Sequence, residues 1–220
     1  MDPCHIFNLG LMNYLNAWQL QKRLSSEVSQ GSRPNMLLFV EHPHVYTIGR
    51  RGNRKHIFLD EKQLACMGVS IHEVDRGGQV TYHGPGQLVA YPLVNLRIWG
   101  GPLKYVRTLE QVMVNALADF GVQAGCIKGF TGVWVNQRKI GAIGVKIAGG
   151  VSLHGFALNV NPDLHLYHHI VTCGVPNEEV TSMKQLIGET VDLETVAYAV
   201  QYHFGKLMGF RMIEEQGILE

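Results

Sequence analysis

The chain has 220 residues, 46% of them apolar and 17% charged, with a formal net charge of +1. This is a globular composition with ample material for a core; it excludes a disordered chain and gives no basic excess for a broad nucleic-acid surface. Cys4, Cys66, Cys126 and Cys173 form no C-x-x-C pair, so reduced thiols in an intracellular compartment are expected rather than a disulfide framework or a structural zinc site.

In chain order, the first residues lack the features of a signal or transit peptide. No apolar run approaches the roughly 20 residues of a membrane span, so a cytoplasmic protein is expected, or a mitochondrial-matrix one if the source is eukaryotic. Residues 11–28 carry Tyr14, Ala17, Trp18, Leu24 and Val28 near helical spacing. Short apolar runs at 36–40, Val45–Ile48 and 69–74 predict strands, and Asp60 with Gln63 three residues later predicts a capped short helix. Val80–His83 and 88–93 read as strands around Gly84-Pro85-Gly86. Val106, Leu109, Met113, Ala116, Leu117 and Phe120 make a helical stripe that Gly121 stops. Val133–Val135 and 139–147 predict a hairpin across Asn136-Gln137-Arg138, 151–160 a further strand, and Asp192 caps a last helix carrying Val196, Ala199, Val200, Phe204 and Leu207. No repeat or linker divides the chain, so residues 1–220 are expected to be a single domain. Strands grouped between helices favour an α+β fold with a mixed or antiparallel sheet and flanking helices.

Two stretches have the residue types of a reactive site. In Arg76-Gly77-Gly78-Gln79-Val80-Thr81-Tyr82-His83-Gly84-Pro85-Gly86-Gln87, glycines allow close backbone approach to a ligand and arginine supplies a donor fork for an anion. A hairpin with turn glycines is the alternative, and the pattern matches no nucleotide loop. The second stretch opens at Lys139, directly before an apolar run, and ends at Cys173 beside Gly174. A thiol is nucleophilic as thiolate, and a neighbouring ammonium favours that form; the other reading is a core cysteine and a solvated lysine. Among 11 histidines, His165 and His169 would share one helical face, though surface or core roles suit them better than metal binding. His83 and His154 each precede a glycine and are candidates to line a site.

The stretch RGGQVTYHGPGQLVAYPL (76–93) resembles the signature of the octanoyltransferase, or lipoyl(octanoyl) transferase, family, also known as lipoate-protein ligase B. EHPHVYTIGRR (41–51) before it, and GVWV, RKIGAIG, HGFALNV and CG after it, follow the same order. The resemblance implies the fold of the biotin/lipoate ligase catalytic domain. It implies an acyltransferase that takes an octanoyl group from the thioester of acyl carrier protein and holds it on Cys173. The acyl group then passes to a lysine on the lipoyl domains of 2-oxoacid dehydrogenase E2 subunits or the glycine cleavage H protein. Lys139 would tune the thiol and shuttle the proton. Arg76, Gly77, Gly78, Gln79, Val80, Thr81, Tyr82 and His83 would bind substrate. So would Ala142, Ile143 and Gly144, and Gly155, Phe156 and Ala157, with His154 behind them. Ile143, Val145 and Phe156 are expected to hold the acyl tail, and N–H groups near Gly77, Gly78 or Cys173 to stabilise an oxyanion. No metal, cofactor, membrane or nucleic acid is implied. One departure is Thr172, where the family usually has proline. The alternatives are an ATP-dependent lipoate- or biotin-type ligase and a non-catalytic acyl- or lipoyl-domain-binding module.

Overall fold

The computed structural model describes residues 1–97, 99–171 and 179–215. Ten strands form two sheets. The larger has the order β10-β1-β2-β6-β9-β8-β7, built from β1 (Asp2–Leu11), β2 (Asn35–Glu41), β6 (Gln87–Leu93), β7 (Val133–Val135), β8 (Arg138–Ala148), β9 (Val151–Asn159) and β10 (Phe210–Glu214). The smaller has the order β4-β3-β5, from β3 (Val45–Ile48), β4 (Ser70–Glu73) and β5 (Val80–His83). In the larger sheet β1 pairs in parallel with β2 and β10, and the remaining neighbours are antiparallel. The sheet is therefore mixed, as the grouping of strands predicts.

Helix α1 (Tyr14–Gln30) starts later than the apolar spacing suggested. Asn13 takes the cap, its side-chain oxygen accepting from the Leu15 N–H at 3.0 Å, and Leu11 belongs to β1. Helix α2 (Glu61–Cys66) begins with the expected box: Asp60 accepts from the Gln63 N–H and Gln63 accepts from the Asp60 N–H. Helices α3 (Pro102–Ala118) and α5 (Leu193–Met208) lie on one face of the large sheet, where Leu109, Met113, Val196 and Phe204 meet Leu37, Phe39, Phe156 and Leu158. A fifth helix, α4 (Met183–Ile187), is short. On the opposite face α1 covers Met36, Leu38 and Val40 with Ala17 and Leu24. The small sheet has its own core of Tyr46, Ile48, Val80 and Tyr82 beside Leu166, Tyr167 and Ile170.

β1 and β10 are elements that the apolar runs did not reveal. Cys4 and Ile6 of β1 face the α3/α5 core, but their neighbours are partly exposed, so no continuous apolar run marks the strand.

Candidate active site

Strand alternation builds one wall of a cavity. Because side chains two apart share a face, Ala142 and Gly144 of β8 stand beside Gly155, Ala157 and Asn159 of β9. The register pairs Ala142 with Ala157 and Gly144 with Gly155, and Ala157 with Val89 of β6. The run Ala142, Gly144, Gly155, Ala157 carries no side chain larger than methyl, which leaves room above the sheet. Arg76, Gly78, Gln79, Val80, Thr81 and His83 form the facing wall, and Lys139, Tyr14, Tyr91, Tyr167, Thr131 and Val180 complete the lining.

The same alternation sends Ile143, Val145 and Phe156 the other way. All three pack into or against the core under α3 and α5. Their side chains therefore depart from the expected role of holding an acyl tail, and Ile143 and Phe156 border the cavity from between the small residues.

Lys139 is positioned by a tight hairpin. Asn136 and Gln137 both have positive φ, 47° and 68°, which is what a two-residue turn needs to match strand twist. Lys139 is 5% exposed, and its Nζ lies 5.1 Å from the centroid of the Trp134 ring on the facing strand. Its N–H donates to the Glu179 carbonyl and its carbonyl accepts from the Thr181 N–H, both at 2.9 Å. Residues 179–181 thus run alongside the start of β8. Further back, the Val171 N–H donates to the His56 carbonyl at 2.8 Å. Cys173 and Thr172 lie outside the described residues; the described chain on the far side of them returns directly to Lys139.

The glycine-rich segment is braced by Arg76, itself buried. Its guanidinium donates to the Thr47 hydroxyl and carbonyl, to the Gly77 carbonyl and to the Gln79 carbonyl at 2.8–3.2 Å. The donor fork expected to meet an anion is directed at these protein oxygens. The Gly77 N–H donates to the Val145 carbonyl at 2.9 Å, so it is engaged within the protein rather than offered to an oxyanion. Gly78 has φ 88°, a conformation that side chains disfavour. The Gly86 N–H donates to Glu41 at 2.7 Å, tying the second half of the motif to the 41–51 stretch.

Two polar networks flank the cavity. In the first, the two hydrogens of the Gln87 amide are shared among the Tyr82 carbonyl, Asn159 Oδ1 and the Tyr167 hydroxyl, 2.9–3.2 Å from Nε2. Its oxygen must then accept from His83 Nδ1–H at 2.7 Å, which leaves Nε2 as the lone-pair nitrogen of His83. In the second, His154 Nε2–H donates to Asp75 at 2.7 Å, and the Tyr14 hydroxyl lies 3.4 Å from His154 Nδ1. Lys146 donates to the other Asp75 oxygen at 2.7 Å. Burial pushes His83 well below the usual histidine value and His154 down to about 4, against the pull of Asp75. Burial opposes ionisation of Asp75, but the hydrogen bonds from Lys146 and His154 prevail and hold it at about 2. His154 itself has φ 55° within β9, an uncommon conformation for a residue with a side chain.

Every expected binding residue from Arg76 to His83 lies on the cavity wall or one residue from it, Gly77 and Tyr82 being set back. Tyr82 turns into the small-sheet core. The sequence reading missed Tyr14, Val89, Tyr91, Asn159 and Tyr167. Strand period would have found Asn159, two residues beyond Ala157; nothing local marks Tyr14. The expectation that His165 and His169 share a face fails because Leu164–His169 is a 3₁₀ turn. There, residues three apart are the ones that eclipse, and His165 meets His168 edge-on at 5.6 Å. Among the described residues, no group of three His, Cys, Asp or Glu side chains is arranged to hold a metal, and no helix is long and apolar enough to cross a membrane.

The family profile described as lipoyl protein ligase A/B catalytic domain matches residues 13–205. The chain is 42% identical over 214 residues to an octanoyltransferase of Solibacter usitatus, covering 97% of this chain and 96% of that one. It is 43% identical over 222 residues to an octanoyltransferase of Gloeobacter violaceus, covering 100% and 96%. A mitochondrial octanoyltransferase of Arabidopsis thaliana is 43% identical over 182 residues, covering 82% and 77%. Among solved structures, lipoate-protein ligase A bound with ATP superposes with a TM-score of 0.73 at 18% identity, over 98% of this chain and 90% of that one. A biotin protein ligase from Aquifex aeolicus reaches a TM-score of 0.54 at 14% identity, covering 95% and 70%. At such identities these likenesses speak to the fold, which is that of the lipoate and biotin ligase catalytic domains.

Proposed function

We propose, from the premise that this chain belongs to the lipoyl protein ligase A/B catalytic family, a route by which it acts as an octanoyltransferase. The protein is an acyltransferase of protein lipoylation. In the proposed route, the acyl donor is the thioester of acyl carrier protein and the acceptor is a lysine of a lipoyl domain, as in 2-oxoacid dehydrogenase E2 subunits and the glycine cleavage H protein. The work takes place in the cytoplasm or, for a eukaryotic source, the mitochondrial matrix.

Cys173 is the proposed acyl carrier within the protein. Its thiolate attacks the thioester carbonyl, a bond forms between Sγ and the acyl carbon, and the pantetheine thiolate leaves with a proton. The acceptor amine then attacks the acyl carbon, a C–N bond forms as the C–Sγ bond breaks, Sγ leaves as thiolate and the amine gives up a proton to Lys139. Thioester to thioester is nearly neutral and thioester to amide is downhill, so no ATP is required. Lys139 takes and returns the proton at these steps. With the Gly77 N–H engaged elsewhere, the Gly78 and Cys173 N–H groups are the candidates for steadying the oxyanion.

The observation that supports this reading best is the burial of Lys139 in the wall of the cavity, beside the described residue that follows the Cys173 segment. Lysine is seldom buried to this extent, and here the burial sets Lys139 in the cavity wall. The test is the mass of the intact protein after exposure to octanoyl-acyl carrier protein, with the adduct mapped by peptide. An octanoyl adduct on Cys173 is expected; turnover with no adduct, or turnover from free octanoate and ATP alone, would replace this route with that of a ligase.

A further inference from the structure

Lys139 and Ile140 at the start of β8 are buried, but beyond them, along the shelf of small residues, burial is graded across the strands. On β8, Ala142 and Gly144 are half-buried, as are Gly78, Gln79 and Thr81 on the facing wall. On β9, Gly155 and Ala157 are buried. On β6, Val89 and Tyr91 are 1% and 3% exposed, and Tyr14 is 2% exposed. The mouth is therefore over β8 and the bottom over β6, two strand spacings away, about 10 Å. A straight methylene chain entering over β8 would lie across the shelf of small residues and end against aromatic rings.

Those rings are fixed from behind. The Tyr91 hydroxyl donates to His42 Nε2 at 2.7 Å, and His42 Nδ1–H donates to the Met12 carbonyl at 2.7 Å. His42 is fully buried and does not line the cavity. Tyr14 is stacked on His83, with ring centroids 5.9 Å apart and planes 15° apart, and its hydroxyl faces His154. An all-aliphatic floor yields by rotamer change; aromatic rings held through their hydroxyls do not.

We infer that Tyr14 and Tyr91, with Val89 beside Tyr91 on β6, form a rigid floor that sets the length of the acyl chain the enzyme accepts. This rests on the octanoyl reading above. Neither tyrosine need touch the reacting atoms; each acts on specificity alone. A buried methylene changes affinity about fourfold, so a floor that admits two more carbons should reorder substrates without new chemistry.

The experiment offers hexanoyl-, octanoyl-, decanoyl- and dodecanoyl-pantetheine, singly and in equimolar mixture, to wild type, Tyr91→Leu, Tyr14→Leu and Val89→Ala, with a lipoyl domain as acceptor. The acylated products are resolved by mass, and each variant is melted beside the wild type. The wild type is expected to peak at eight carbons. In Tyr91→Leu and Tyr14→Leu the ratio of dodecanoyl to octanoyl transfer should rise at least tenfold, and in Val89→Ala the decanoyl share should rise several-fold. Val89→Ala removes only two methyl groups and decides the matter if the tyrosine variants fail to fold. Folded variants with the wild-type length profile would overturn the floor while leaving octanoyl transfer intact. A wild type that transfers no chain of any length would instead overturn the octanoyl reading.

Discussion

At the residue scale, Arg76 shows what a motif conceals. Read along the chain, it is a donor fork among glycines; in the fold, its donors meet the oxygens of Thr47, Gly77 and Gln79. Sequence cannot reveal this, because Thr47 arrives from another strand. Arg76→Ala would take the guanidinium donors from the buried Thr47 hydroxyl and from the Thr47 and Gly77 carbonyls, at about 1–3 kcal/mol for each left unsatisfied, while the Gln79 carbonyl keeps the Gly49 N–H. The expected result is a melting temperature lowered by many degrees and a loss of activity that does not shrink at high salt. A salt-dependent loss in a fully folded variant would restore an anion-binding role. Cysteine choice belongs to this scale too. Cys4 lies in the core, where burial pushes its thiol up to about 12, and burial raises that of Cys126 as well. Cys173→Ser should therefore abolish turnover, while Cys4→Ala, Cys66→Ala and Cys126→Ala retain most of it. Lys139→Ala should slow transfer by orders of magnitude. The rate of Cys173 alkylation against pH is the check, and an unmoved thiol pKa in that variant would remove Lys139 from the task of tuning it. Gly78→Ala is a poor probe of substrate approach because φ 88° already makes it costly. Gly77→Ala is better: its Cβ would meet only the Val145 carbonyl oxygen at 3.3 Å.

At the scale of elements, three short strands were legible because they are rich in β-branched and aromatic residues. Val45–Ile48, Val80–His83 and Val133–Val135 have the bounds their apolar runs give. Side-chain caps at Asp60 and Asp192 were legible for a different reason, being local chemistry within four residues. β1 and β10 were not, since they are set by pairing rather than by an apolar run: β1 lies between β2 and β10, and Asp2 pairs with Phe210 and Ile6 with Glu214 across nearly the whole chain. The cavity was half legible. Its motif wall is contiguous in sequence, whereas its floor combines α1 with β6. The hairpin before Lys139 gives the element-scale prediction. Gln137 holds φ 68°, which costs a residue with a side chain about 1 kcal/mol. Gln137→Gly should raise the melting temperature by a few degrees with activity unchanged. A drop in stability would mean that the Gln137 side chain contributes more than its backbone costs.

At the scale of the whole molecule, the polar interior couples stability to pH. Burial lowers His42 and His154 from the usual 6.5 to about 4, with His83 shifted the same way. Below pH 6.5 the unfolded chain binds protons that the folded chain refuses, so stability is full above that value and falls as pH drops toward 4. Two such histidines remove about 2 kcal/mol each between pH 7 and pH 5. The Asp75 carboxylate adds a loss of the same sign at lower pH, between its usual 3.8 and about 2. Urea unfolding at pH 7, 6 and 5 should show a steadily falling midpoint, and His42→Gln should flatten the slope. A midpoint independent of pH would contradict the neutral assignment of these rings.

The placement of β1 between β2 and β10 also bears on how the chain is born. The ribosome delivers β1 early and β10 after every other strand described. All the described residues of the cavity lie at or before Val180, so the nascent polypeptide carries that lining while the outer edge of β1 is still a bare row of N–H and C=O groups. Such an edge is a template for any neighbouring extended chain, including sister chains on the same polysome. A message truncated after Gly209 would make that transient state permanent: a protein able to line its pocket, yet prone to add strands from other copies where its own last strand should lie.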